Sequence, residues 1–140
     1  MYPTPSAAKA AELYGAAGAH PVALLVEAHD GMIAKLGEAK TAIAEGRIED
    51  RFQLTTKIGK VVDVLQMTLD HEQGGAIAGN LDQLYGYFAR RLHDVNLKND
   101  ASVCDELIAR LGELRDGWRA ALRQRPSPVQ PVLETASISA

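Results

Sequence analysis

Histidines, a cysteine and scattered carboxylates are the groups in this chain that could hold a metal, relay a proton or attack a substrate, so their spacing decides what chemistry is open to it. The histidines are His20, His29, His71 and His93. A di-iron bundle needs Glu-x-x-His pairs projecting inward, but the residues three before these histidines are Ala17, Val26, Thr68 and Arg90, and none of those is a ligand. No Cys-x-x-Cys-His haem attachment occurs, and His93 falls among charged residues, so the histidines read as surface groups and no metal or other cofactor is expected. A phosphotransfer protein would expose one histidine with a lysine and small residues just after it; His29-Asp-Gly-Met-Ile-Ala-Lys is a poor version of that context. Cys104 has no base nearby in sequence and lies beside apolar positions, which is the setting of a small core residue. The acids are spread as on solvated helix faces, and no catalytic constellation forms. The chain is not expected to be an enzyme.

The elements that would position these groups are helices. Leu81, Leu84, Phe88, Leu92 and Val95 recur at steps of three and four, which places them on one face, while Asp82, Arg90, Arg91, Asp94 and Lys98 fall elsewhere. A first helix starts near Pro21, whose missing N–H costs nothing in a first turn, carries Leu25, Ala28, Met32, Leu36, Ala39 and Ile43, and stops before Gly46. Thr55, Ile58, Val62, Leu65 and Leu69 mark a second helix over about 49–72, which Gly74-Gly75 is expected to end. The third runs from about Ala76 to Leu97. Asn99-Asp100 then offers an N-cap to a fourth, whose stripe is Val103, Leu107, Leu111, Leu114, Trp118 and Leu122.

Four helices of similar length joined by short links predict an all-α fold, an antiparallel up-down-up-down four-helix bundle over residues 21–123. Residues 1–20, Ala-rich with Gly15 and Gly18, read as a short helical arm on its outside, and the Pro-rich stretch 124–140 as a disordered tail. The formal net charge of −3 over 140 residues, with acids and bases mixed, offers no polybasic face, so nucleic acid is not an expected partner. One cysteine makes no internal disulfide, and no long unbroken apolar run occurs, which predicts a soluble cytoplasmic protein without membrane insertion.

Apolar surface is in surplus. Tyr85 and Tyr87 flank the third helix's stripe at angles that one core does not absorb together, and Leu24, Ile33 and Ile77 widen the stripes of their helices. A broad core covered by the arm and a groove for a partner both account for this. Three classes of function stay open on residue patterns alone: a helical binding module, a His-phosphotransfer bundle, and a structural protein that self-associates through its excess apolar face.

The run Gly74-Gly75, Asn80-Leu81, Leu84-Tyr85-x-Tyr87, Arg90-Arg91-Leu92 and Val95-Asn96-Leu97-x-Asn99-Asp100 resembles the flagellar secretion chaperone family FliS, with its GG…NLxxLYxYxxRxLxxANxxND pattern. The resemblance extends upstream to Pro21, Leu24-Leu25, Asp30-Gly31 and Ala42-Ile43-x-x-Gly46, and downstream to Leu111, Leu114 and Trp118, covering roughly residues 14–120. It implies a four-helix bundle that binds the disordered C-terminal segment of flagellin, prevents its early polymerisation, and escorts it to the type III export apparatus, where a gate component is a further expected partner. No catalysis and no ATP are implied. Tyr14 matches the arm tyrosine with which this family covers its empty groove, and client contact is assigned to Tyr14, Leu24, Ala28, Ile77, Leu81, Tyr85 and Leu92. Arg91, Asn96, Asn99 and Asp100 are assigned to the corner between the third and fourth helices, through capping and carboxylate pairing. His20, Ala23 and His29 stand where the family has Ser, Lys and Tyr. Protonation of His29 is accordingly expected to weaken client binding in mild acid.

Overall fold

A computed structural model of the chain describes residues 21–124. The arm, with Tyr14 and His20, and the tail beyond Gln124 lie outside the described residues. Four helices account for the rest: α1 (Pro21–Ala44), α2 (Ile48–Met67), α3 (His71–Lys98) and α4 (Ala101–Gln124). α1 packs on α2 and α4, and α3 packs on the same two, so the helices form a closed ring in chain order. Links this short force each helix to run against its predecessor.

Each end has a local cause. α1 closes in a Schellman motif, with the Arg47 N–H donating to Ala42 O at 2.8 Å, the Gly46 N–H to Ile43 O at 3.2 Å, and Gly46 at φ 70°. A side chain at that φ would crowd its own carbonyl, hence glycine. Glu49 and Asp50 lie in the first turn of α2, where the positive end of the helix dipole favours carboxylates. The chain leaves α3 through Asn99 in the left-handed region at φ 50°, and Asp100 begins α4 by accepting from the Ser102 N–H at 2.9 Å and the Ser102 hydroxyl at 2.7 Å.

The α2–α3 boundary departs from the sequence expectation. α2 ends at Met67, and Asp70 caps α3 by accepting from the Gln73 N–H at 3.0 Å. Gly74-Gly75 therefore does not end the second helix; it lies within α3, where Gly75 at φ 53° and ψ −129° separates one opening turn from the regular helix that follows. A short polar cap at Asp70 supplies the break that the glycines had suggested.

The stripes meet as their periods require. Leu25, Met32, Leu36 and Ala39 of α1, Ile58, Val62 and Leu65 of α2, Leu81, Leu84, Phe88, Leu92 and Val95 of α3, and Val103, Leu107, Leu111, Leu114 and Trp118 of α4 are all buried, with Leu69 from the link. Trp118, Tyr85 and Phe88 are the largest fully buried side chains. Each fully buried Phe-sized group contributes roughly 1.5–3 kcal/mol through removal of apolar area from water, so these stripes dominate the fold's stability. Tyr85 and Tyr87 are both accommodated: Tyr85 is wholly inside, and Tyr87 is half-buried with its hydroxyl turned to α4.

Candidate functional site

Of the polar residues assigned to the corner between the third and fourth helices, Asp100 caps α4 through Ser102, and Arg91, Asn96 and Asn99 enter two side-chain networks. In the first, Arg91 on α3 donates from Nη2 to Glu106 Oε1 on α4 at 2.7 Å and from Nη1 to Asp94 at 2.7 Å, while the Tyr87 hydroxyl donates to the other Glu106 oxygen. The Tyr87 hydroxyl, then Arg91, hold the Glu106 carboxyl below the usual carboxylate range, and Glu106 in turn pushes the Tyr87 phenol up. In the second, Arg51 of α2 donates from Nε to Asn96 Oδ1 at 3.1 Å and from Nη1 to Asn99 Oδ1 at 2.5 Å, and the Asn96 amide donates to the Thr55 hydroxyl at 3.0 Å. Asn99 thus combines a left-handed backbone with a side chain that ties α2 to the end of α3. Arg51, Thr55 and Glu106 were not singled out for this role from sequence. For Arg51 the signal was present: it stands four residues before Thr55 on the register of Ile58 and Val62, so it occupies a stripe position, and it is buried.

His29 is also buried, which corrects its reading as a surface histidine. Its register is again the reason, since Leu25, His29, Met32 and Leu36 step by four, three and four. The Nδ1–H donates to Leu25 O at 2.7 Å, leaving Nε2 as an acceptor without a partner among the described residues. The ring lies 6.3 Å from that of Tyr85. Burial lowers its pKa to about 4, opposed only partly by the Leu25 bond and Asp30. It therefore stays neutral through mild acid, and the expected loss of client binding by His29 protonation in that range does not fit this site. Nor does a wholly buried ring present itself to a phosphoryl donor, which removes the phosphotransfer reading of His29. His71 and His93 are exposed, as expected. Cys104 is buried and its thiol is pushed up by desolvation, the state of an inert core residue. Among the described residues no group of three or more His, Cys, Asp or Glu side chains could hold a metal ion.

The client-contact residues fall into two sets. Leu24 is 59% exposed, and Ala28 and Ile77 are half-buried. Leu81, Tyr85 and Leu92 are buried. Of the buried three, Leu92 forms part of the lining of a groove of about 360 Å³ between α2 and α3, together with Phe52, Thr55, Thr56, Gly59, Lys60, Asp63, Ala89, His93 and Asn96. Phe52 is 54% exposed there, and Ile48 and Leu97 add exposed apolar side chains near the same end of the two helices. Phe52 was missed from sequence because it lies off the stripe of α2.

Four helices tied to one another by side chains, with a groove opening on the outside between two of them, make an all-α helical bundle. A family profile described as flagellar protein FliS matches residues 5–125. The flagellar secretion chaperone FliSB of Pseudomonas aeruginosa is 37% identical over 100 residues, spanning 71% of this chain and 79% of that protein. The flagellar secretion chaperones FliS of Salmonella typhimurium and Vibrio cholerae are each 33% identical, over 102 and 106 residues, covering 72% and 74% of this chain and 76% and 74% of theirs. The chain belongs to the FliS family of flagellar secretion chaperones. Among the described residues no helix is long and apolar enough to cross a membrane.

Proposed function

We propose that the protein is a cytoplasmic export chaperone that binds the disordered C-terminal segment of flagellin, keeps it from polymerising early, and delivers it to the flagellar type III export apparatus. Membership of the FliS family over residues 5–125 is the observation that carries this reading. The physics is helix-in-groove recognition. A segment that would bury its apolar side against its own kind in a filament lays it along the bundle instead, and the entropy lost on ordering keeps the complex releasable. This needs no bond-making group. Leu24, Ala28 and Ile77 contact the client directly in this reading, Leu92 supports it from the groove floor, and Leu81 and Tyr85 shape the surface from beneath. Tyr14 belongs to the same set through its match to the family's arm tyrosine.

The experiment is titration of the full chain with flagellin and with flagellin lacking its C-terminal segment. The expected outcome is a one-to-one complex with full-length flagellin and none with the truncated form. Equal binding of both would show that the segment is not the recognised element.

A further inference from the structure

Two polar atoms deep in the core, Nε2 of His29 on α1 and Nε1 of Trp118 on α4, have no hydrogen-bond partner among the described residues. Both side chains are wholly buried, so bulk water does not reach them. An indole nitrogen can only donate. The carbonyl of Leu25 can only accept, so the His29 ring carries its proton on Nδ1, 2.7 Å from that oxygen, and Nε2 of the neutral ring can only accept. One group lacks an acceptor and the other lacks a donor.

The register of the α1–α4 seam sets them at one level. Asp30 pairs with Arg115 at 2.8 Å and with Arg119 at 3.4 Å, which matches residues 29–30 of α1 to residues 115–119 of α4. His29 precedes Asp30, and Trp118 precedes Arg119. One step along a helix turns a side chain by about 100°, so Asp30 and Arg119 meet on the half-exposed outside while His29 and Trp118 both point inward, as their burial requires. After burial, the Leu25 bond and Asp30, the positive charge of Arg115 also acts on the His29 ring, which sets α4 beside it. One turn away on the two helices, Leu25, Leu114 and Ala121 are buried and carry no polar side-chain atom. Donor and acceptor therefore share one apolar stretch of one seam, and no hydrogen bond joins them.

We propose that the α1–α4 seam binds one internal water molecule, which accepts from the Trp118 indole N–H and donates to His29 Nε2. A water both accepts and donates, and internal waters settle where buried polar groups are otherwise unsatisfied. Without it, each group would bear its desolvation with nothing in return. The bridge ties α1 to α4 from inside, beneath the ion pairs of Asp30, and fixes the plane of a ring whose other nitrogen Leu25 already holds.

The test is nuclear magnetic resonance on the full chain labelled with nitrogen-15. Trp118 is the only tryptophan, so its indole proton gives a single signal. That proton is expected to show a cross peak at the water frequency, with the sign in NOE and ROE spectra of a water that tumbles with the protein. In His29→Phe, which removes the acceptor, the cross peak is expected to fall several-fold. Its absence from the wild type, or its survival at full strength in folded His29→Phe, overturns the proposal. If His29→Phe does not fold, a crystal structure of the wild type decides. Water density within about 2.7–3.2 Å of both nitrogens is the expected result, and a direct contact between the two nitrogens, or no density between them, overturns it.

Discussion

The seam between α1 and α4 and the seam between α2 and α3 join helices of similar length in the same antiparallel sense, yet they are built differently. Across α1–α4, Lys40 meets Asp105 at 2.5 Å, Arg115 meets Asp30 at 2.8 Å and Arg119 meets Asp30 at 3.4 Å, over a core holding Trp118 and His29. Across α2–α3 no ion pair forms among the described residues. Arg51 reaches amide oxygens, the Gln66 amide donates to Asp82 O at 3.2 Å, and Phe52 and Gly59 border an open groove. One seam is closed by ion pairs and large side chains, and the other by amide hydrogen bonds beside small residues and an open groove. The closed seam carries stability that the open one does not have to supply.

Core substitutions test the comparison hardest. Trp118→Ala on the closed seam is expected to cost about 3–5 kcal/mol by chemical denaturation, from lost burial and the cavity left behind. Phe52→Ala on the open seam, half-exposed and outside the core, is expected to stay within about 0.5 kcal/mol. Comparable losses at the two positions would erase the distinction.

The pH dependence of stability comes next. His29 titrates near its ordinary value of 6.5 in the unfolded chain and at about 4 in the folded one, so between those values the unfolded chain binds the extra proton. Stability is therefore intact above pH 6.5 and falls as pH drops toward 4, by about 3 kcal/mol from this group alone. A His29→Phe variant is expected to lose that part of the slope in denaturation measured across the interval. A slope unchanged by the substitution would mean that the ring is not held neutral in the α1–α4 seam.

Smaller effects belong to the open seam. Arg51→Met removes the donor to two amide oxygens, one of which Thr55 still satisfies in part, and is expected to cost about 1–2 kcal/mol in thermal or chemical unfolding. Gly59→Ala is expected to stabilise α2 by about 0.5–1 kcal/mol, since the native backbone is helical and the space is free. A destabilised Gly59→Ala would show that the fold itself requires the glycine.

The fold was legible because apolar residues at three- and four-residue steps report a buried face whatever their neighbours are. The corner was legible for a related reason, since Asn99-Asp100 pairs a residue that tolerates left-handed backbone with one whose short carboxylate caps a helix. The end of α2 was not, because Leu69-Asp70-His71 has no glycine or proline and the glycines that follow are louder in sequence than the aspartate that caps. His29 and Arg51 were misplaced or overlooked for a single reason: a polar residue in a stripe register was judged by its type, whereas the helix puts it inside regardless. The groove depends on what two helices leave unfilled between them, at Gly59, Ala89 and Phe52, and such a gap has no period of its own.

Asp30 finds Arg115 across 85 positions of chain, and α1–α4 is the one helix pairing that does not join neighbours in sequence. During synthesis, α1 can pair with α2 and α2 with α3 as they emerge, but the face that α1 keeps for α4 stays wet until the last helix has been made. Completion of the core is thus a C-terminal event. A chain interrupted before Ala101 would carry the faces that α1 and α3 keep for α4 uncovered, and its apolar stripes would be open to other chains.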